Sequence, residues 1–195
     1  MKIRDHIGFT ADVDEHKRLR RLLTEEMLKD WCLPPLPTRP RAPWTHGALV
    51  GYWRNERLIG GAFIGPLSRE ADELLERGGM AYYSAYQWLT KRCVVVHYIH
   101  TNSDYRRQGD APALLDFIEG CAVDHGDDYI IAVPTNPTAR HLFTQAGYVL
   151  QPAGVHLGFH RQSGELTGIF PAGPHDTYAR RELGHRHDFT LRAYR

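Results

Sequence analysis

Cysteine is scarce: Cys32, Cys93 and Cys121 are the only three in 195 residues, odd in number and widely spaced. A disulfide framework and a cysteine-based zinc site are therefore not expected, and free thiols in apolar-patterned segments are common as small buried side chains. Long apolar runs are missing too. No stretch approaches the roughly 20 residues a membrane-spanning helix needs, and the opening Met1-Lys2-Ile3-Arg4-Asp5 lacks the apolar segment of a secretory signal. The expected location is the cytoplasm, without membrane contact. Charge of one sign is absent, since 24 Lys and Arg face 23 Asp and Glu. That balance argues against nucleic acid as a partner. Histidine is plentiful, but His156 and His160, four residues apart, fall in a strand-like stretch rather than on a helix with an intervening Glu. No metal is expected.

What is present fits one globular domain spanning 1–195, with insertions expected at 68–91 and 161–187. Leu19, Leu22, Leu23, Met27 and Trp31 form a helical stripe, opened by Asp12 and Glu15 in a capping-box arrangement. Prolines at 34, 35, 37, 40 and 43 impose an extended loop. Residues 47–54 and 57–67 read as a hairpin around Asn55-Glu56. The β-branched stretch 93–101 predicts a strand and 111–123 a helix, followed by strand 129–133, helix 137–146 and a return to strand at Tyr148. Further strands are expected at 156–160, 166–170 and 188–195, the last inside the sheet, with 161–187 as a long hairpin excursion. Two strand–helix units in succession indicate an α/β fold class.

The chemically informative segment is Ser103-Asp104-Tyr105-Arg106-Arg107-Gln108-Gly109-Asp110-Ala111-Pro112, where a strand exit turns into a helix start. The first amides of a helix have no intrahelical partner, and the macrodipole adds about half a positive charge, so an anion is welcome there. Gly109 and Ala111 leave clearance, Pro112 suits a first turn, and Arg106 and Arg107 add charge. The Gly-Lys-Ser/Thr ending of a Walker loop and the further glycines of a dinucleotide loop are both missing. A pyrophosphate carried on a different body remains, against the alternative of an ordinary capped surface helix.

Here the sequence resembles the GCN5-related N-acetyltransferases. Arg106-x-x-Gly109-x-Ala111, preceded by Asp104-Tyr105, is similar to that family's acetyl-coenzyme A signature, and Asn136-Pro137-Thr138-Ala139 running to Gly147-Tyr148 is similar to its second motif. The resemblance implies a mixed α/β fold with a mostly antiparallel central sheet, a splayed parallel pair and flanking helices. It implies acetyl-CoA as cofactor, with backbone groups of Ile99 and Thr101 on the pantetheine. Amides of Arg107, Gln108, Gly109, Asp110 and Ala111, with the Arg106 side chain, would hold the pyrophosphate. Asn136 would face the pantetheine arm and Phe143 would lie near the sulfur. Two positions depart from the pattern. Asp110 stands where an apolar or small residue is usual, and its carboxylate repels a pyrophosphate unless it points into solvent. Phe143 stands where a proton-donating Tyr is common.

The implied reaction is direct attack of a small-molecule primary amine on the thioester, and an alkyl amine of pKa about 10 must shed a proton. Val95, His97, Ile99 and Thr101 share one strand face, and His97 matches the place of an assisting histidine in aralkylamine-acetylating members. An imidazole near pKa 6.5 suits that role; the competing reading is a core histidine. The amide near Ile99 would hold the oxyanion. Three activities stay open: the small-molecule N-acetyltransferase, a protein or peptide N-acetyltransferase, and a degenerate acyl-CoA-binding sensor or scaffold. Trp31, Trp44, Tyr52, Trp53, Tyr83, Tyr86 and Trp88 are either an acceptor pocket or ordinary core. The exposed final strand leaves a homodimer open.

Overall fold

The computed structural model describes residues 5–27, 36–40, 47–105, 108–184 and 188–195. The chain divides into two compact units, Met1–Gly65 with Val96–Cys121, and Pro66–Val95 with Ala122–Arg195. The architecture is mixed α/β, with a mostly antiparallel sheet that contains one parallel pair.

The first unit holds β1 (Asp5–Phe9), α1 (Val13–Met27), β2 (Ala48–Arg54), β3 (Arg57–Pro66), the second part of β4 (Cys93–Thr101) and most of α4 (Asp110–His125). Its strands run in the order β1-β2-β3-β4. Asn55 and Glu56 both take positive φ, 48° and 65°, which is the geometry that lets a two-residue turn match strand twist. Arg54 therefore pairs with Arg57, and β2 faces β3 along its length with one register shift at Tyr52/Trp53. Helix α1 starts where expected: Asp12 Oδ1 accepts the amides of Asp14 at 2.8 Å and Glu15 at 3.0 Å. Those two amides hold the Asp12 carboxyl below its usual pKa. Leu19 and Leu23 bury fully with Leu36, Leu49 and Phe63. This close approach depends on Gly61, where a Cβ would stand 2.3 Å from Leu19 Cδ1. Strand β1 was not anticipated from the sequence; it pairs antiparallel with β2, from Asp5↔Arg54 to Phe9↔Val50.

The second unit holds α2 (Ser68–Gly78), α3 (Tyr83–Arg92), the start of β4, β5 (Tyr129–Ala132), α5 (Pro137–Gln145), β6 (Val149–Leu150), β7 (His156–Arg161), β8 (Leu166–Phe170), β9 (Ala179–Glu182) and β10 (Phe189–Tyr194). Its main strands follow the order β4-β5-β9-β6, and β10-β7-β8 form a separate sheet. One core joins helices and strands: Trp88 and Leu89 from α3, Tyr129 from β5, Leu157 and Phe159 from β7, Phe189 and Leu191 from β10. Trp88 Nε1 donates to Asp128 Oδ2 at 2.7 Å and Arg92 Nη2 to Oδ1 at 2.8 Å, so this buried carboxylate is matched on both oxygens.

Two expectations change. The stretch 161–187 supplies not only the expected strand at 166–170 but also β9, which lies between β5 and β6, with Arg180 facing Ile131 on one side and Val149 on the other. The last strand does not enter the main sheet; β10 is an edge of the second one, against β7. Ala179-Arg180-Arg181-Glu182 has no apolar alternation, so only its neighbours make it a strand. Among the described residues no helix is long and apolar enough to cross a membrane. Cys93 is buried and Cys121 half-buried, both as free thiols, while Cys32 lies outside the described residues.

Candidate active site

Strand β4 changes character midway. Cys93 to Val96 are buried, whereas His97, Tyr98, Ile99, His100 and Thr101 are half-buried. His97 stacks on Phe63 with ring centroids 5.0 Å apart and planes 28° from parallel. Burial pushes its imidazole down to about 4, well under the 6.5 expected of it from the sequence. At neutral pH the ring is uncharged. Tyr98 and His100, on the opposite face, stack on each other at 6.3 Å.

After β4 the Asn102 amide donates to the Ile59 carbonyl at 2.9 Å, and a short 3₁₀ turn, Ser103–Tyr105, redirects the chain. Arg106 and Arg107 lie outside the described residues. Gly109 has φ +86°, a conformation strained for residues with a side chain, and no atom beyond its chain neighbours lies, among the described residues, within 4 Å of where its Cβ would project. The Ala113 amide closes the first helical bond onto the Gly109 carbonyl at 3.1 Å. The amides of Asp110 and Ala111 precede it at the positive end of α4.

Asp110 does not point into solvent, as its compatibility with an anion was expected to require. It is 3% exposed. Its Oδ1 accepts from Arg54 Nη2 at 2.7 Å, and the same guanidinium donates to Gln108 Oε1 at 2.7 Å. Arg54 is further tied to Asp5 at 3.4 Å and to the Tyr52 hydroxyl at 3.4 Å. The repulsion anticipated at Asp110 is thus offset by an opposite charge. Sequence reading missed Arg54, and no local signal could have found it, because 56 positions separate it from Asp110.

The remaining candidates belong to the second unit. Asn136 is the exposed N-cap of α5, its Oδ1 accepting the Ala139 amide at 2.9 Å ahead of Pro137. Phe143 is buried edge-on to Tyr148, centroids 4.9 Å apart. Arg181 lies over the Tyr148 ring and donates to the Ala146 carbonyl. Of the aromatic candidates, Tyr52, Trp53 and Trp88 are buried in their cores, Tyr83 is exposed and stacked on Tyr86, and Trp31 and Trp44 lie outside the described residues. A cleft of about 710 Å³ in this unit is lined by Gln87 and Lys91 of α3 together with Arg161, Ser163 and Asp188. Of the sequence-predicted site residues described in the structure, Trp88 lines it, and none of the cofactor or catalytic candidates does.

A model of the acetyltransferase (GNAT) family matches residues 16–148. The chain belongs to that family, and is an acyltransferase of it. Comparison with curated proteins returns no match. Among solved structures, a polyamine N-acetyltransferase of Drosophila melanogaster, which forms N-acetylagmatine, aligns at 17% identity over 92% of this chain and 100% of its own, with TM-score 0.56. A mutant agmatine N-acetyltransferase in its apo form aligns at 20% identity over 90% and 97%, TM-score 0.54. A phosphinothricin acetyltransferase of Sinorhizobium meliloti, in complex with acetyl-CoA, aligns at 18% over 94% and 90%, TM-score 0.55. At such identities the likeness is one of fold.

Proposed function

We propose that this chain acetylates a primary amine of a small molecule with acetyl-CoA as donor, by direct attack of the amine on the thioester. The observation that carries the reading is the start of α4: a positive-φ glycine, first-turn amides ahead of the first helical bond, and an acidic neighbour already paired with an arginine. These features fit a diphosphate. The family uses acetyl-CoA, and when bound that molecule supplies an acetyl group activated toward amines.

The chain's own part follows from its residues. Amides from Arg107 to Ala111, with the Arg106 side chain, grip the diphosphate; Ile99 and Thr101 offer backbone groups to the pantetheine, and the Ile99 amide faces the developing oxyanion. His97, uncharged at neutral pH, accepts the proton the amine sheds. The polyamine and agmatine N-acetyltransferases among the structural neighbours support a small amine as acceptor.

A second reading, a domain that binds acyl-CoA without turnover, is favoured by Phe143, which has no hydroxyl to protonate a thiolate. Calorimetry with acetyl-CoA followed by thiol release across an amine panel separates the two. Saturable binding with amine-dependent release is the expected result. Binding without release selects the second reading, and absence of binding overturns both.

A further inference from the structure

We infer that Arg54 is a positioning residue for the donor's diphosphate, acting through Asp110 and Gln108 rather than by touching the ligand. The inference rests on the donor-site reading above and deepens it.

Arg54 ends β2, at the hairpin turn, and its guanidinium spends its donors on protein groups: Nη1 on Gln108, Nη2 on Asp110 and Tyr52, Nε on Asp5. Two of these partners flank Gly109, so one planar fork fixes the side chains on both sides of the residue where the anion would sit. The fork geometry matters, because guanidinium nitrogens hold two acceptors in a fixed relation that an ammonium cannot reproduce.

Charge gives the second argument. Asp110 is 3% exposed, and its Oδ2 has no hydrogen-bond partner among the described residues. Arg54 is the one cation within 4.0 Å of it among those residues. An unpaired carboxylate in the first turn of α4 would occupy the same helix-dipole field that an incoming diphosphate needs, and would repel it. Paired with Arg54, at 2.7 Å against 3.4 Å for the Asp5 carboxylate that shares the guanidinium, its charge is offset. The acidic residue in the binding turn is tolerated because a remote arginine cancels it, and diphosphate affinity depends on that arginine.

The experiment is calorimetry on the full chain with two probes, CoA and pantetheine, the latter carrying no diphosphate. Arg54→Met should weaken CoA by roughly tenfold or more while changing pantetheine by less than about twofold. In the double variant Arg54→Met/Asp110→Asn, CoA affinity should recover by about threefold or more over the single variant, since the charge needing cancellation is gone while the hold on Gln108 stays lost. Should Arg54→Met fail to fold, Asp110→Asn alone decides: it removes the negative charge from the first turn while Arg54 stays paired with Asp5, and should tighten CoA by about threefold or more. An Arg54→Met protein with unaltered CoA affinity, an equal loss for both probes, a double variant no better than the single, or a weaker Asp110→Asn protein overturns the inference. A wild-type chain that binds neither probe overturns the donor-site reading and this inference together.

Discussion

Gly109 and His97 are the two positions where a single side chain decides most. At Gly109, φ +86° costs an L-residue about 1–2 kcal/mol, and any side chain there enters space that is otherwise open. Gly109→Val should therefore lose CoA binding by calorimetry while the protein keeps its fold with a lowered thermal midpoint; retained affinity would sink the donor site. His97 has a folded pKa near 4 against about 6.5 for an unfolded histidine. The unfolded chain thus binds a proton the folded chain rejects, so this ring's contribution to stability is complete above about pH 6.5 and is lost as pH falls toward 4. His97→Gln should flatten that part of the curve, seen in urea midpoints measured at pH 7 and pH 4.5. A His97→Ala pH–rate profile of kcat/KM that matches wild type in height and shape removes the proton-accepting role proposed for this ring. The spacing Arg106-x-x-Gly109-x-Ala111 was legible because it is local, lying within one turn and one helix start. The environment that reset His97 was not, because Phe63 arrives from another strand.

Elements with strong local chemistry came out close to their expected bounds. The Asp12 cap, the Asn55-Glu56 turn and the β-branched stretch of β4 each carry their own signal within a few residues. The turn also offers a test: Glu56 holds φ 65°, a value that glycine adopts without strain. Glu56→Gly is expected to raise stability by about 0.5–1 kcal/mol in denaturant titration, the relief of strain exceeding the added chain entropy. A lower midpoint would show that the Glu56 side chain contributes more than the turn costs it. Strand β9 had no such signal. Its residues Arg180 and Arg181 are extended because β5 and β6 lie on either side, and Arg180 also donates to the Leu191 carbonyl.

Across the whole chain, each unit has its own buried cluster, one around Leu19, Leu23 and Phe63, the other around Trp88, Leu157 and Phe159. The C-terminal strand is integral to the second. Leu191 is 2% exposed and faces Phe159 across the β7–β10 pair. Leu191→Ala should cost about 2–4 kcal/mol, read as a lower urea midpoint. A change below about 0.5 kcal/mol would mean that β10 adds little to that core. The amino-acid sequence by itself determined the family, the strand-to-helix turn at Gly109 and most of the run of strands and helices, because those depend on neighbours a few residues away. Only the tertiary structure decided that Arg54 pairs with Asp110, that a charged tetrapeptide becomes an interior strand, and that burial lowers the His97 pKa. Each of these requires groups remote in the chain to be brought together, and the charge and solvent exclusion that result have no counterpart in any local pattern.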